Sequence, residues 1–228
     1  MAEGQELNIQ GFGTLIANAG VGSAGIGGGP NMNAGTIVIS GGTVITTGGT
    51  FAAGIGGGNG GNGGVVTIIG GNVTATGGLS GGAGIGGGRS GNGAEVSLQG
   101  GTVRTFGGEP SVSIPMGLGI GAGYGGKSAG TLQIGESQGL YGGKDEETAE
   151  FLSNPTDSYA GTRFEFMETK ATKYATITFV ANGGEGEMEA QVVPYNIPRN
   201  LNANEFTHET LFFDGWALSE DPPLRAQT

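Results

Sequence analysis

The sequence predicts an all-β protein whose first part is a single-stranded parallel β-helix of about 30 residues per coil, in four to five coils. Three observations carry this. Ile26, Ile55 and Ile85 recur at spacings of 29 and 30 residues inside the near-copies SAGIGGG, AAGIGGG and GAGIGGG, and a looser copy, GLGIGAG, surrounds Ile120. Two further apolar segments lie between successive markers. Those segments alternate with period two, the signature of a strand with one buried face. Three short strands per 30 residues make one triangular coil, and each strand pairs with its equivalent about 4.8 Å away in the next coil.

The first strand of each unit reads LNIQ, IVIS, VTII, VSLQ and LQIG. Leu7, Ile37, Val66, Val96 and Leu132 share one position, and Ile9, Ile39, Ile68, Leu98 and Ile134 the position two residues on. Mostly polar Asn8, Val38, Thr67, Ser97 and Gln133 stand between them. The second strand reads TLIAN, TVITT, NVTAT and TVRTF, with Leu15, Val44, Val73 and Val103 as its inward ladder. The third strand is the shortest, and its lone isoleucine is the inward anchor. Glycine turns the corners because it takes positive φ without a Cβ clash, and it lets neighbouring backbones approach. A polyglycine II bundle would need longer glycine runs than these, which stop at three.

Composition divides the chain near Gly143. Residues 1–143 hold 49 of the 54 glycines and five carboxylates, whereas residues 144–228 hold five glycines and the other 15 acids. Residues 144–172 are read as cap and connector, with a short helix expected over 145–152 and a strand in GTRFEFMET, Gly161 to Thr169. The chain has no cysteine, so disulfides and thiolate metal sites are excluded. The net charge of −11 argues against nucleic acid as a partner, since phosphates would be repelled. No apolar run reaches membrane-spanning length. The opening MAEGQELNIQ lacks the basic and apolar regions of a signal peptide.

Several motifs look chemical. GAGYGGKS, Gly121 to Ser128, fits the P-loop pattern, but the strand repeat AGTLQIG follows where a helix is required. GNGGNG and GGGRSG fit G-x-G-x-x-G without opening a helix. Asn72 heads a formal glycosylation sequon inside a strand. Calcium-binding nonapeptide repeats need aspartates that the solenoid lacks. Glycan-cleaving β-helices need clustered carboxylates or a metal, and Glu3, Glu6, Glu95, Glu109 and Glu136 are scattered. His208, the one histidine, lies in the other part of the chain and reads as a surface residue. No catalytic residue, metal or cofactor is therefore assigned. An ice-binding face needs regular threonine columns, which Asn72 and Arg104 break. Phe106, Tyr124 and Tyr141 lie toward the last coils and are the candidate ligand contacts, because aromatic faces stack on sugars and anchor interfaces. The competing reading, that they plug the open end, is the one a solenoid's need for a cap favours.

From Tyr174 the elements ITFVANGGEGEM, VVPYN and FTHETLFFDGWALSED resemble the Listeria–Bacteroides repeat, the B-repeat of internalin-like surface proteins. The likeness covers about 48 residues. It implies a small β-grasp-like fold over 173–228 and an extracellular stalk or adhesion role on a bacterial cell surface. The family's closing aromatic strand is replaced by PPLRAQT, so an incomplete unit is expected, with Phe212 and Trp216 partly exposed, in a fragment of a larger protein. The glycine-rich units also resemble GAGIGGG-type β-helical arrays found beside such repeats. Together these imply a non-catalytic adhesin or stalk module that meets a glycan or host protein. The alternative is a carbohydrate-processing lyase or hydrolase whose catalytic acids lie outside the repeats.

Overall fold

The computed structural model of the chain describes residues 3–113, 116–135, 138–153, 166–171, 174–181, 183–194, 201–210, 212–213 and 215–216. The described residues contain strands and no α-helix. They divide into two compact units: residues 1–173 with 195–198, and residues 174–194 with 199–228.

The first unit is a β-solenoid of about three turns with about 30 residues per turn. Each turn contributes one strand to each of three sheets. The first sheet stacks β1 (Glu6–Ile9), β4 (Thr36–Ile39), β7 (Val65–Ile68), β10 (Glu95–Leu98) and β13 (Thr131–Ile134). The second contains β2 (Thr14–Asn18), β5 (Thr43–Thr47), β8 (Asn72–Thr76) and β11 (Thr102–Phe106). The third stacks β3 (Ile26–Gly27), β6 (Ile55–Gly56), β9 (Ile85–Gly86) and β12 (Ile120–Gly121). All these pairings are parallel and in register, so Ile37 sits on Val66, Val44 on Val73, and Ile55 on Ile85.

Register turns the sequence repeat into a core. Ile37, Ile39, Ile55, Val66, Ile68, Ile85, Val96 and Leu98 are buried in one continuous cluster. Side-chain alternation then forces the intervening residues outward. The third strand shows why glycine must follow isoleucine. Gly56 has φ +130°, and a Cβ there would collide with the Gly86 carbonyl of the next turn. The isoleucine fills the interior while the glycine lets two backbones meet.

An asparagine ladder pins one corner. The Asn62 backbone N–H donates to Asn33 Oδ1 (2.8 Å), and the Asn92 N–H donates to Asn62 Oδ1 (2.9 Å). At one end Asn33 Nδ2 donates to the Glu3 carboxylate (2.9 Å). At the other, Asn92 Oδ1 accepts from the N–H groups of Lys127 and Ser128, both at 3.0 Å.

The helix expected over 145–152 is not formed. Asp145 and Thr148 close a hydrogen-bonded turn, and β15 (Glu150–Ser153) follows as a strand. With β14 (Gln138–Gly143) and β16 (Phe166–Ala171) it extends the second sheet. β16 runs antiparallel along both β11 and β14, and Met167 of β16 and Leu140 of β14 lie in the core. Pairing with β14 overrides the helical propensity of this glutamate-rich stretch.

The second unit pairs β17 (Tyr174–Ile177) antiparallel with β18 (Gln191–Pro194). Trp216 packs against Phe179, Phe206 and Phe213, and its Nε1–H donates to the Asn202 carbonyl (3.1 Å). Phe179 is buried; Phe212 is exposed.

Candidate functional surface

The second sheet presents three outward columns. Thr14, Thr43, Asn72 and Thr102 form one; Ile16, Ile45, Thr74 and Arg104 the next; Asn18, Thr47, Thr76 and Phe106 the third. The inward partners are Leu15, Val44, Val73 and Val103, then Ala17, Thr46, Ala75 and Thr105. Strand spacing makes this face a regular lattice whose chemistry is set by residues the core does not constrain.

Where β16 joins this sheet, the face becomes charged and aromatic. Register sets Phe166 beside Phe106 and Glu168 beside Arg104, and Tyr141 of β14 lies across Glu168. The Phe106 and Phe166 rings are 5.0 Å apart and tilted by 47°. Glu168, only 2% exposed, accepts from Arg104 Nε at 2.7 Å and from Lys170 Nζ at 2.6 Å. Arg104 reaches Glu146 with Nη2 at 2.8 Å. The hydrogen bond to Glu168 raises the Arg104 pKa, with the charges of Glu168 and Glu146 acting in the same direction. A buried carboxylate is tolerated because two cations hold its two oxygens. Lys170 Nζ also lies 5.0 Å from the centre of the Tyr141 ring.

Of the predicted contacts, the structure thus brings Phe106 and Tyr141 to one face, both half-buried. Tyr124 stands elsewhere. It lies in the loop after β12, 44% exposed, with its N–H donated to Gly81 and its carbonyl accepting from Ser90. The equivalent loop one turn earlier carries Arg89, whose guanidinium carbon is 5.1 Å from the centre of the Phe51 ring.

The P-loop look-alike is a solenoid corner. The N–H groups of Gly123, Tyr124 and Gly126 donate to backbone carbonyls, and those of Lys127 and Ser128 to Asn92, so this loop does not present them to a phosphate. Glu95 is exposed at the start of β10, and Glu136 lies outside the described residues. His208 is exposed, with Nδ1 accepting from the Thr210 N–H at 3.1 Å. Among the described residues no group of three histidines, cysteines or carboxylates is placed to hold a metal.

Sequence reasoning missed two arrangements. Asn33, Asn62 and Asn92 carry the repeat spacing, which would have revealed the ladder. The Arg104–Glu168 pair joins residues 64 apart and left no local signal. Comparison with protein-family models, with curated proteins and with solved structures finds no match to this chain.

Proposed function

We propose that this chain is a non-catalytic module of a bacterial cell-surface or secreted protein, in which a β-helix of four to five coils, followed by a β-grasp-like B-repeat, presents a surface to a glycan or a host protein. One observation carries the reading: an in-register interior filled with aliphatic side chains, overlaid by outward columns that the core leaves free to vary. Such a scaffold holds side chains at fixed spacing without needing a cavity.

The contacts we assign are Tyr124, one turn on from the Arg89 loop, and the Phe106–Tyr141 region of the second sheet's outward face. Tyrosine offers a flat apolar face and a polar tip, the combination that stacks on a sugar ring. A glycan array followed by calorimetry tests this. Tyr124→Ala or Tyr141→Ala is expected to weaken binding about tenfold, equal to about 1.4 kcal/mol. Binding unchanged by both substitutions would reject these contacts, and no binding to any glycan or surface protein would leave only a spacer.

A further inference from the structure

We infer that the Tyr124 corner selects anionic sugars, with Arg89 as the residue that pairs with the ligand's carboxylate or sulfate. The inference rests on the reading of Tyr124 as a glycan contact and names the class of sugar it takes. Arg89 and Tyr124 hold equivalent places in successive turns. The Gly60 N–H donates to the Arg89 carbonyl, and the Ser90 N–H to the Tyr124 carbonyl. Strand spacing therefore sets their backbones about 4.8 Å apart along the solenoid. Lys127 is exposed on the Tyr124 loop. Its N–H continues the asparagine ladder onto Asn92 Oδ1, but its side chain is a cation instead of an amide.

Charge sets this corner apart. The chain carries a net charge of −11, and residues 1–143 contain three cations, Arg89, Arg104 and Lys127. Arg104 is paired with Glu168 and Glu146, whereas among the described residues neither Arg89 nor Lys127 is ion-paired. Phe51 supplies an independent argument. Its φ is +72°, a left-handed backbone that bulky side chains rarely take. Gly22 holds the equivalent place one turn earlier with φ +79°, so glycine would serve there without strain. Strain of this kind points to a use for the side chain. The Phe51 ring lies under the Arg89 guanidinium, 5.1 Å from centre to carbon, and the Phe51 carbonyl accepts from the Arg89 N–H. Stacking fixes the plane of the guanidinium and leaves its edge N–H groups to meet a carboxylate or sulfate in two parallel bonds. Tyr124 is flanked by Gly123 and Gly125, and its N–H donates to the Gly81 carbonyl. Without Cβ atoms these three glycines let a sugar approach the backbone beside the tyrosine ring.

The full chain is applied to an array of acidic and neutral glycans. Each acidic glycan that binds is then titrated by calorimetry beside its carboxyl-reduced or desulfated form. Acidic glycans are expected to bind, and loss of the acid group to weaken binding about tenfold or more. Arg89→Gln is expected to abolish that discrimination, and Arg89→Lys, which keeps the charge but not the fork, to reduce it. Phe51→Gly installs the residue of the preceding turn. Its circular dichroism spectrum is expected to be unchanged while discrimination falls, which marks Phe51 as a positioning residue. Tyr124→Ala is expected to weaken the acidic and neutral forms alike. Preference for neutral glycans, or discrimination that survives Arg89→Gln, would overturn the inference and leave Tyr124 standing as a glycan contact. Binding to no glycan at all would overturn both.

Discussion

At Gly56 the backbone leaves no room for any other residue. Its φ of +130° suits glycine, and a Cβ would strike the Gly86 carbonyl one turn away. Backbone strain of this kind costs about 1–3 kcal/mol, and the clash adds to it, so Gly56→Ala is expected to destabilise the solenoid by more than that range. Gly29 is the contrast. Its φ is not in the left-handed region, and a Cβ would meet only Met32 Sδ at 3.6 Å, an ordinary contact. Gly29→Ala is expected to be neutral or to stabilise by about 0.4–1 kcal/mol through the unfolded chain's entropy. Urea denaturation of the two variants checks the pair; equal effects would mean that the inter-turn contact is not what limits substitution. The ladder asparagines are a second residue-scale case. Asn62→Ala removes the acceptor for the Asn92 N–H, and an unsatisfied, partly buried donor costs about 1–3 kcal/mol. The aliphatic columns were legible in the sequence because burial imposes a chemical type at a fixed period. The asparagines had the same period, yet asparagine among glycines also reads as an ordinary turn residue.

Strand β16 shows what an element gains from one buried charge. Glu168 anchors it to β11 through Arg104 and holds Lys170 on the strand itself. Replacing both cations by alanine leaves the carboxylate buried and uncompensated, which costs about 3–5 kcal/mol. Either single replacement costs less, since the other cation remains. Hydrogen exchange is expected to quicken at β16 and β14 in the double variant while β5 and β8 stay protected; uniform loss would mean that the cap is not a separable element. Alternation in GTRFEFMET exposed this strand to sequence reasoning, although residues 161–165 lie outside the described residues. Its antiparallel partners could not be read, since QGLYGG has no alternation and the Arg104–Glu168 pair joins residues 64 apart. The preceding turn misled for a physical reason. The Asp145 N–H donates to Thr148 Oγ1, and the Thr148 N–H donates back to Asp145 Oδ1, a reciprocal pattern like that of a helix capping box. The Thr148 hydroxyl, then its backbone N–H, lowers the Asp145 pKa from its ordinary value. A lowered folded-state pKa means that this group's stabilisation is present above the unfolded value and is lost as pH falls through the folded one. In an NMR titration Asp145 is expected to protonate below the usual aspartate range, with the Thr148 amide shift following it. A midpoint at the ordinary value would show that the turn is open in solution.

At the scale of the whole molecule, the described residues give the two units different cores. The solenoid has one continuous core in which each turn supports the next, so its stability is the sum of many equivalent interfaces. The second unit has a two-stranded sheet and a small aromatic cluster around Trp216. A two-stranded sheet is marginal without further packing, so this unit is expected to unfold first. The chain itself supplies the probe. Trp216 is its only tryptophan and lies in the second unit, whereas most of the strand residues belong to the first. In a urea titration, tryptophan fluorescence is expected to change at lower denaturant than far-UV circular dichroism. Coincident transitions are the mark of a single cooperative unit. They would mean that the aromatic cluster takes its stability from the solenoid, and that a change in one unit is felt in the other.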